Sequence, residues 1–140
     1  MNLRAVLETS VYAVDLEAAE RFYGGVLGLE AFTRQPGRHI FFRCGAGVFL
    51  VFNPERTVMD ATTVGGVQVP RHGATGAGHA AFTVREDELA SWRQRFVERG
   101  IDIEAEVAWP GGGRSLYVRD PAGNSIELAS PRLWGLEEPE

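Results

Sequence analysis

Lysine is absent from this chain: all 14 of its basic residues are arginine. That removes Schiff-base nucleophiles, a phosphate-loop lysine and any Ser–Lys dyad from consideration. Cysteine is almost absent too. The lone Cys44 can form neither an internal disulfide nor a cysteine-rich zinc site, which points to a reducing, cytoplasmic setting. No apolar run approaches the roughly 18 residues needed to span a membrane. The segment from Met1 to Thr9 lacks the features of a signal peptide. Neither G-x-S-x-G nor G-x-G-x-x-G occurs. Charge of one sign is not concentrated either. The net charge is −5 and the arginines are scattered, so neither nucleic acid nor an anionic membrane is expected as a partner. What remains for chemistry is His, Asp, Glu, Tyr, Ser, Thr and Arg, or a metal held by them.

The 140 residues suit one domain with an ordinary core, and an internal repeat organises them. Module one covers about residues 5–54, a connector about 55–77, module two about 78–130, and an acidic tail about 135–140. Each module opens with a β-rich run, Leu7 to Val14 and Gly78 to Val84. A helix follows in each. In module one Asp15 caps it, Leu16, Ala19, Phe22, Tyr23, Val26 and Leu27 recur at helical spacing, and Gly28 closes it. In module two the helix is expected over Asp87 to Arg99, with Gly100 as its stop. Strands are expected at Ile40 to Arg43, Val48 to Phe52, Ser115 to Arg119 and Ser125 to Ala129, with a connector rich in Gly, Thr and Val holding at most a short strand at Val67 to Val69. The turn Asp120-Pro121-Ala122-Gly123-Asn124 separates the last two strands. The expectation is an α+β fold: two βαβββ modules forming a curved, mainly antiparallel mixed sheet around a cleft, with helices on the outer face.

Three ionisable residues break the strand pattern. Ile126 and Leu128 point one way in the last strand, leaving Glu127 on the opposite, inward face. Glu8 takes the inward position in the first strand of module one, and His79 takes the same position in module two. Carboxylates on an inward face are costly unless a cation compensates them, so Glu8, His79 and Glu127 are candidate ligands of one divalent metal. Tyr117 is a candidate catalytic residue beside Glu8 and Glu127. Ser10, His72, Trp109 and Arg114 are candidate pocket residues. His39 reads as a surface residue and Cys44 as a small hydrophobe. Trp109-Pro110 with Gly111 to Gly113 reads as a lid or a turn, and Trp134 as packing of the C-terminus or a dimer seam.

The segments from Glu8 to Asp15 and Arg21 to Leu29, with Gly78 to Phe82 and Asp120 to Leu128, resemble the vicinal-oxygen-chelate superfamily. That superfamily includes glyoxalase I, bleomycin-resistance proteins and extradiol dioxygenases. The resemblance covers nearly the whole chain and places ligands at Glu8, His79 and Glu127. A further acidic or amide ligand of some members falls on Leu50 or Val51, both apolar, which argues for three protein ligands. The resemblance implies a metal-dependent lyase, isomerase or ring-cleaving dioxygenase. Its divalent ion would be Fe, Mn, Ni, Zn or Mg, bound by a small-molecule substrate through adjacent oxygens, and a homodimer is expected. In this reading Glu8 can also serve as general base. The alternatives are a metal-free protein that sequesters a drug, with Phe41, Trp109, Tyr117 and Trp134 stacking a planar ligand, and a structural dimer with a vestigial site.

Overall fold

The computed structural model describes residues 1–140, which divide into two compact units, Met1–Gly76 and Ala77–Glu140. Each carries a four-stranded mixed sheet with a helix on one face.

Unit one begins with β1 (Glu8–Tyr12). The Asp15 carboxylate then accepts the Ala18 N–H at 3.0 Å and starts α1 (Leu16–Glu20). The helix widens into a π-helical turn over Arg21–Val26, in which Leu27 N–H reaches back five residues to the Phe22 carbonyl. Gly28, at φ 77°, ends it by adopting a backbone conformation that other residues reach only at a cost. Next come β2 (Glu30–Gln35), β3 (His39–Cys44), β4 (Gly47–Phe52) and the short α2 (Pro54–Thr57). A two-rung hairpin closes the unit, β5 (Thr63–Val64) with β6 (Val67–Gln68). The sheet order is β1-β4-β3-β2, and only the β1/β4 pair is parallel. Strand alternation sorts the side chains. Val11, Phe42, Phe49 and Val51 are buried on the helix side, where Tyr23 packs against Phe49 and Phe42 with ring centres 4.8 and 6.0 Å apart.

Unit two repeats the plan with β7 (His79–Thr83), α3 (Leu89–Glu98), β8 (Ile103–Ala108), β9 (Arg114–Arg119) and β10 (Ser125–Ala129). A 3-10 turn (Glu86–Glu88) precedes α3, so the regular helix is shorter than the sequence suggests. The order β7-β10-β9-β8 matches unit one, again with one parallel pair. Phe96 of α3 and Leu116, Val118, Ile126 and Leu128 of the sheet form the buried core. Burying side chains of this size stabilises by about 1.5–3 kcal/mol each. The acidic tail is tied back: Glu138 accepts the Glu86 N–H at 3.2 Å and Arg85 donates to the Pro139 carbonyl at 3.3 Å. Trp134, expected to pack the C-terminus or a dimer seam, is 78% exposed in the single chain and so does not pack the C-terminus.

Candidate metal centre

The parallel and antiparallel registers of β10 build the site in unit two. Glu127 lies opposite Ala81 on one side and Tyr117 on the other, and His79 lies one rung along, opposite Ser125. Ser115, Tyr117, Glu127 and His79 therefore share the face away from α3. Glu127 is only 7% exposed, which is unfavourable for a carboxylate without partners. It has one strong partner: Ser115 Oγ donates to its Oε1 at 2.5 Å, and Ser115 Oγ in turn accepts the Trp109 indole N–H at 2.9 Å. Tyr117 borders the same carboxylate. Burial, and then hydrogen bonding to Glu127, push its phenol above the ordinary value, so it remains a protonated donor.

His79 is half exposed and its Nδ1 lies 3.0 Å from the Ser125 carbonyl oxygen. A carbonyl can only accept, so the proton sits on Nδ1. In the neutral ring Nε2 then carries a lone pair, and it faces the second Glu127 oxygen, Oε2, at 3.4 Å. Two lone-pair atoms set face to face need either a proton or a cation between them. Two ligand atoms each about 2.1 Å from one ion, at octahedral or tetrahedral angles, lie about 3.0–3.4 Å apart. The donor set fits a divalent cation by this measure. The Nδ1–H to backbone carbonyl bond is also the support that orients a metal-ligating imidazole.

The position of His79 is fixed from the neighbouring turn. Asp120 Oδ1 accepts the backbone N–H groups of Ala122 and Asn124 at 3.0 and 2.8 Å, and Oδ2 accepts the Asn124 amide at 2.8 Å. Asn124 Oδ1 then accepts the Gly78 N–H at 2.8 Å, beside the first residue of β7. The Asp120–Asn124 segment is thus both a turn and the anchor of β7. Ser115 is absent from the sequence-based candidates, although Ser115 and Tyr117 alternate with apolar residues in β9 as Glu127 does in β10.

Of the other candidates, Trp109 reaches the site through Ser115. Its loop is a turn, closed by the Trp109 N–H to the Gly113 carbonyl and the Gly112 N–H to the Trp109 carbonyl, both 3.0 Å. Arg114 does not reach it. It alternates with Ser115 and shares the α3-facing side with Leu116 and Val118, beside Arg93, Glu106 and Asp87. Glu8 is exposed on β1 of unit one, with Ser10 and Tyr12 on the same face opposite Leu50 and Phe52. No group of three His, Cys, Asp or Glu residues able to hold a metal is gathered in the chain. The register places Leu50, rather than Val51, at the point equivalent to Glu127, since Ser10 pairs with Leu50 as Ala81 pairs with Glu127.

The same face of unit one is aromatic. Tyr12 OH lies 2.7 Å from His72 Nδ1. The Phe52 ring is 4.6 Å from His72, 5.4 Å from Phe41 and 5.9 Å from His39. His39 stacks on Phe41 at 4.0 Å. The surface position expected for His39 is therefore corrected. It is half buried, its Nδ1 has no partner, and burial followed by the nearby Arg38 charge lowers its pKa.

The sequence model of the Glyoxalase/Bleomycin resistance protein/Dioxygenase superfamily matches residues 5–128. Among solved structures the chain is similar to a lactoylglutathione lyase from Agrobacterium tumefaciens, at 42% identity over 97% of this chain and 100% of that one, with a TM-score of 0.89. A glyoxalase-related enzyme from Fulvimarina pelagi is 30% identical over 91% of this chain and 88% of that one, with a TM-score of 0.69. An integron cassette protein from the Halifax Harbour sewage metagenome shares the fold at 20% identity, over 91% of this chain and 99% of that one, with a TM-score of 0.72. No curated protein matches the sequence.

Proposed function

Because the chain belongs to the Glyoxalase/Bleomycin resistance protein/Dioxygenase superfamily, we propose that it is a divalent-metal-dependent lyase or isomerase of glyoxalase type, acting on a small molecule that chelates the metal through adjacent oxygens. One observation carries the reading: a buried carboxylate oxygen and an imidazole nitrogen meet at 3.4 Å, the spacing of two ligands on one ion. The lactoylglutathione lyase named above supports the reaction class. Fe, Mn, Ni, Zn and Mg all suit two carboxylates and one imidazole.

The bound ion supplies positive charge that stabilises an oxyanion developing on the substrate. The residues do the rest. His79 presents Nε2 because Nδ1 is held by Ser125. Glu127 presents Oε2 because Oε1 is held by Ser115. Glu8 is the proposed third ligand or, detached from the ion, the proposed general base. Tyr117 keeps its proton and donates a hydrogen bond, to Glu127 or to a substrate oxygen. The proposed assembly is a homodimer and the proposed compartment the cytoplasm. Burial keeps Cys44 in its thiol form, and no helix is long and apolar enough to cross a membrane.

The test is metal analysis of purified protein, a thermal shift, and assay of lactoylglutathione lyase activity with and without chelator. We expect one cation per site, activity lost to the chelator, and a rise in Tm of roughly 8–10 °C at a hundredfold excess over Kd. Glu127→Gln should weaken metal binding at least tenfold. Protein that binds no cation and gains no stability from one would end the proposal.

A second reading, metal-free sequestration of a planar ligand, is favoured by the aromatic face of His39, Phe41, Phe52, Tyr12 and His72. Titration with 2-naphthol in the presence of chelator tests it. Tight binding that is unchanged by chelator and lost in Phe52→Ala would support it, and absence of binding would dismiss it.

A further inference from the structure

Glu127 is constrained in how it can ligate. The Trp109 indole N–H occupies a lone pair of Ser115 Oγ at 2.9 Å, and the hydroxyl proton of Ser115 is then directed to Glu127 Oε1 at 2.5 Å. Ser115 and Glu127 are both buried, so water does not readily replace either bond. Trp109 is fixed in its turn. The turn is closed by its two backbone bonds, and Gly113 at its end packs so closely on Leu133 that a Cβ there would lie 2.6 Å from the Leu133 nitrogen.

We propose that Ser115 and Trp109 are positioning residues that make Glu127 a one-oxygen ligand and thereby set the cation preference of the site. The inference rests on the metal-centre reading above. The Ser115 hydrogen bond engages Oε1 and holds the carboxylate with Oε2 facing His79 Nε2, so Oε2 would be the oxygen offered to an ion. Zinc and its neighbours accept one oxygen from a carboxylate at about 2.0–2.2 Å. Calcium gathers six to eight oxygens at about 2.3–2.6 Å and commonly takes both from one carboxylate. The relay therefore disfavours calcium and favours the smaller ions. Removing the Ser115 hydroxyl frees Oε1 to turn toward the cation.

The experiment is calorimetric titration of the full chain with Zn²⁺ and, separately, Ca²⁺, for wild type, Ser115→Ala, Ser115→Thr and Trp109→Phe, each checked for folding by circular dichroism. Ser115→Ala should lose roughly 10–100-fold in Zn²⁺ affinity, the range for lost supports of metal ligands. Its Ca²⁺ affinity should hold or rise, so the Zn/Ca ratio falls by at least tenfold. Ser115→Thr, which keeps the hydroxyl, should restore the ratio, and Trp109→Phe should shift it in the direction of Ser115→Ala by a smaller factor. In nitrogen-15 spectra the Trp109 indole resonance should move on Zn²⁺ addition in wild type and stay still in Ser115→Ala. A general loosening of the fold would weaken both ions together, and that parallel loss would overturn the proposal. So would a ratio unchanged in Ser115→Ala while wild type binds Zn²⁺, which leaves the metal centre standing. Wild type that binds neither ion overturns both.

Discussion

Gly111, Gly112 and Gly113 sit in one loop, yet alanine should have very different effects at its two ends. At Gly113 the backbone φ is +86°, and an added Cβ would lie 2.6 Å from the Leu133 nitrogen and 3.0 Å from its Cα. The backbone conformation alone costs an alanine about 1–2 kcal/mol. Relieving a contact with backbone that cannot swing aside adds about 1–3 kcal/mol. The expected loss is therefore about 2–5 kcal/mol, a large share of the 5–15 kcal/mol that holds a typical domain. That corresponds to roughly 7–17 °C in Tm for a chain of this size. At Gly111 nothing lies within 4 Å of the added Cβ and φ is not positive, so alanine should change stability by less than about 0.5 kcal/mol. Thermal and urea denaturation followed by circular dichroism measure both. Gly113→Ala should also move the Trp109 indole and so lower metal affinity. A Gly113→Ala protein within 0.5 kcal/mol of wild type would refute the reasoning, because neither the backbone strain nor the contact would then be real.

Other outcomes follow from the same geometry. Asp120→Ala removes the acceptor of three hydrogen bonds and should destabilise by about 2–4 kcal/mol, while Asp120→Asn should recover part of that loss, as read in urea melts. Phe96→Ala, at a fully buried site, should cost about 3–5 kcal/mol. His39 titrates below its ordinary value in the fold, so between that lowered value and about 6.5 the unfolded chain binds the extra proton. Stability should therefore fall as pH drops through that window, and His39→Leu should flatten the slope of Tm against pH there.

Much of this architecture was legible in the sequence because apolar spacing and turn residues carry it. The opening strands, the helix stops at Gly28 and Gly100, the Asp120–Asn124 turn and the inward aim of Glu127 all follow from local pattern. β2 and β8 were not among the expected strands. Glu30–Gln35 and Ile103–Ala108 are polar edge strands, held by backbone ladders to β3 and β9 and fringed with arginine–glutamate pairs such as Arg119–Glu104. Charged edges discourage stray strand pairing. Glu30–Gln35 carries no regular apolar alternation, whereas in β8 Ile103, Ala105 and Val107 do alternate with Glu104 and Glu106, a short strand pattern present in the sequence. The half-burial of His39 comes from stacking on Phe41 of its own strand and from Phe52 across the β3–β4 hairpin, ring contacts that a position at the start of a strand does not reveal. The partners of Glu127 were hidden for a similar reason: the Trp109–Ser115 relay depends on how a turn folds back, which no periodicity encodes.

The two sheets have the same strand order and equivalent registers but different furniture. Where unit two sets Tyr117 beside Glu127, unit one sets Phe41 beside Leu50. A duplicated frame of this kind gives evolution a spare set of addresses. One half can be held to its chemistry while the other drifts toward new guests. A single substitution, Leu50→Glu, would put a carboxylate at the register position of unit one that matches Glu127.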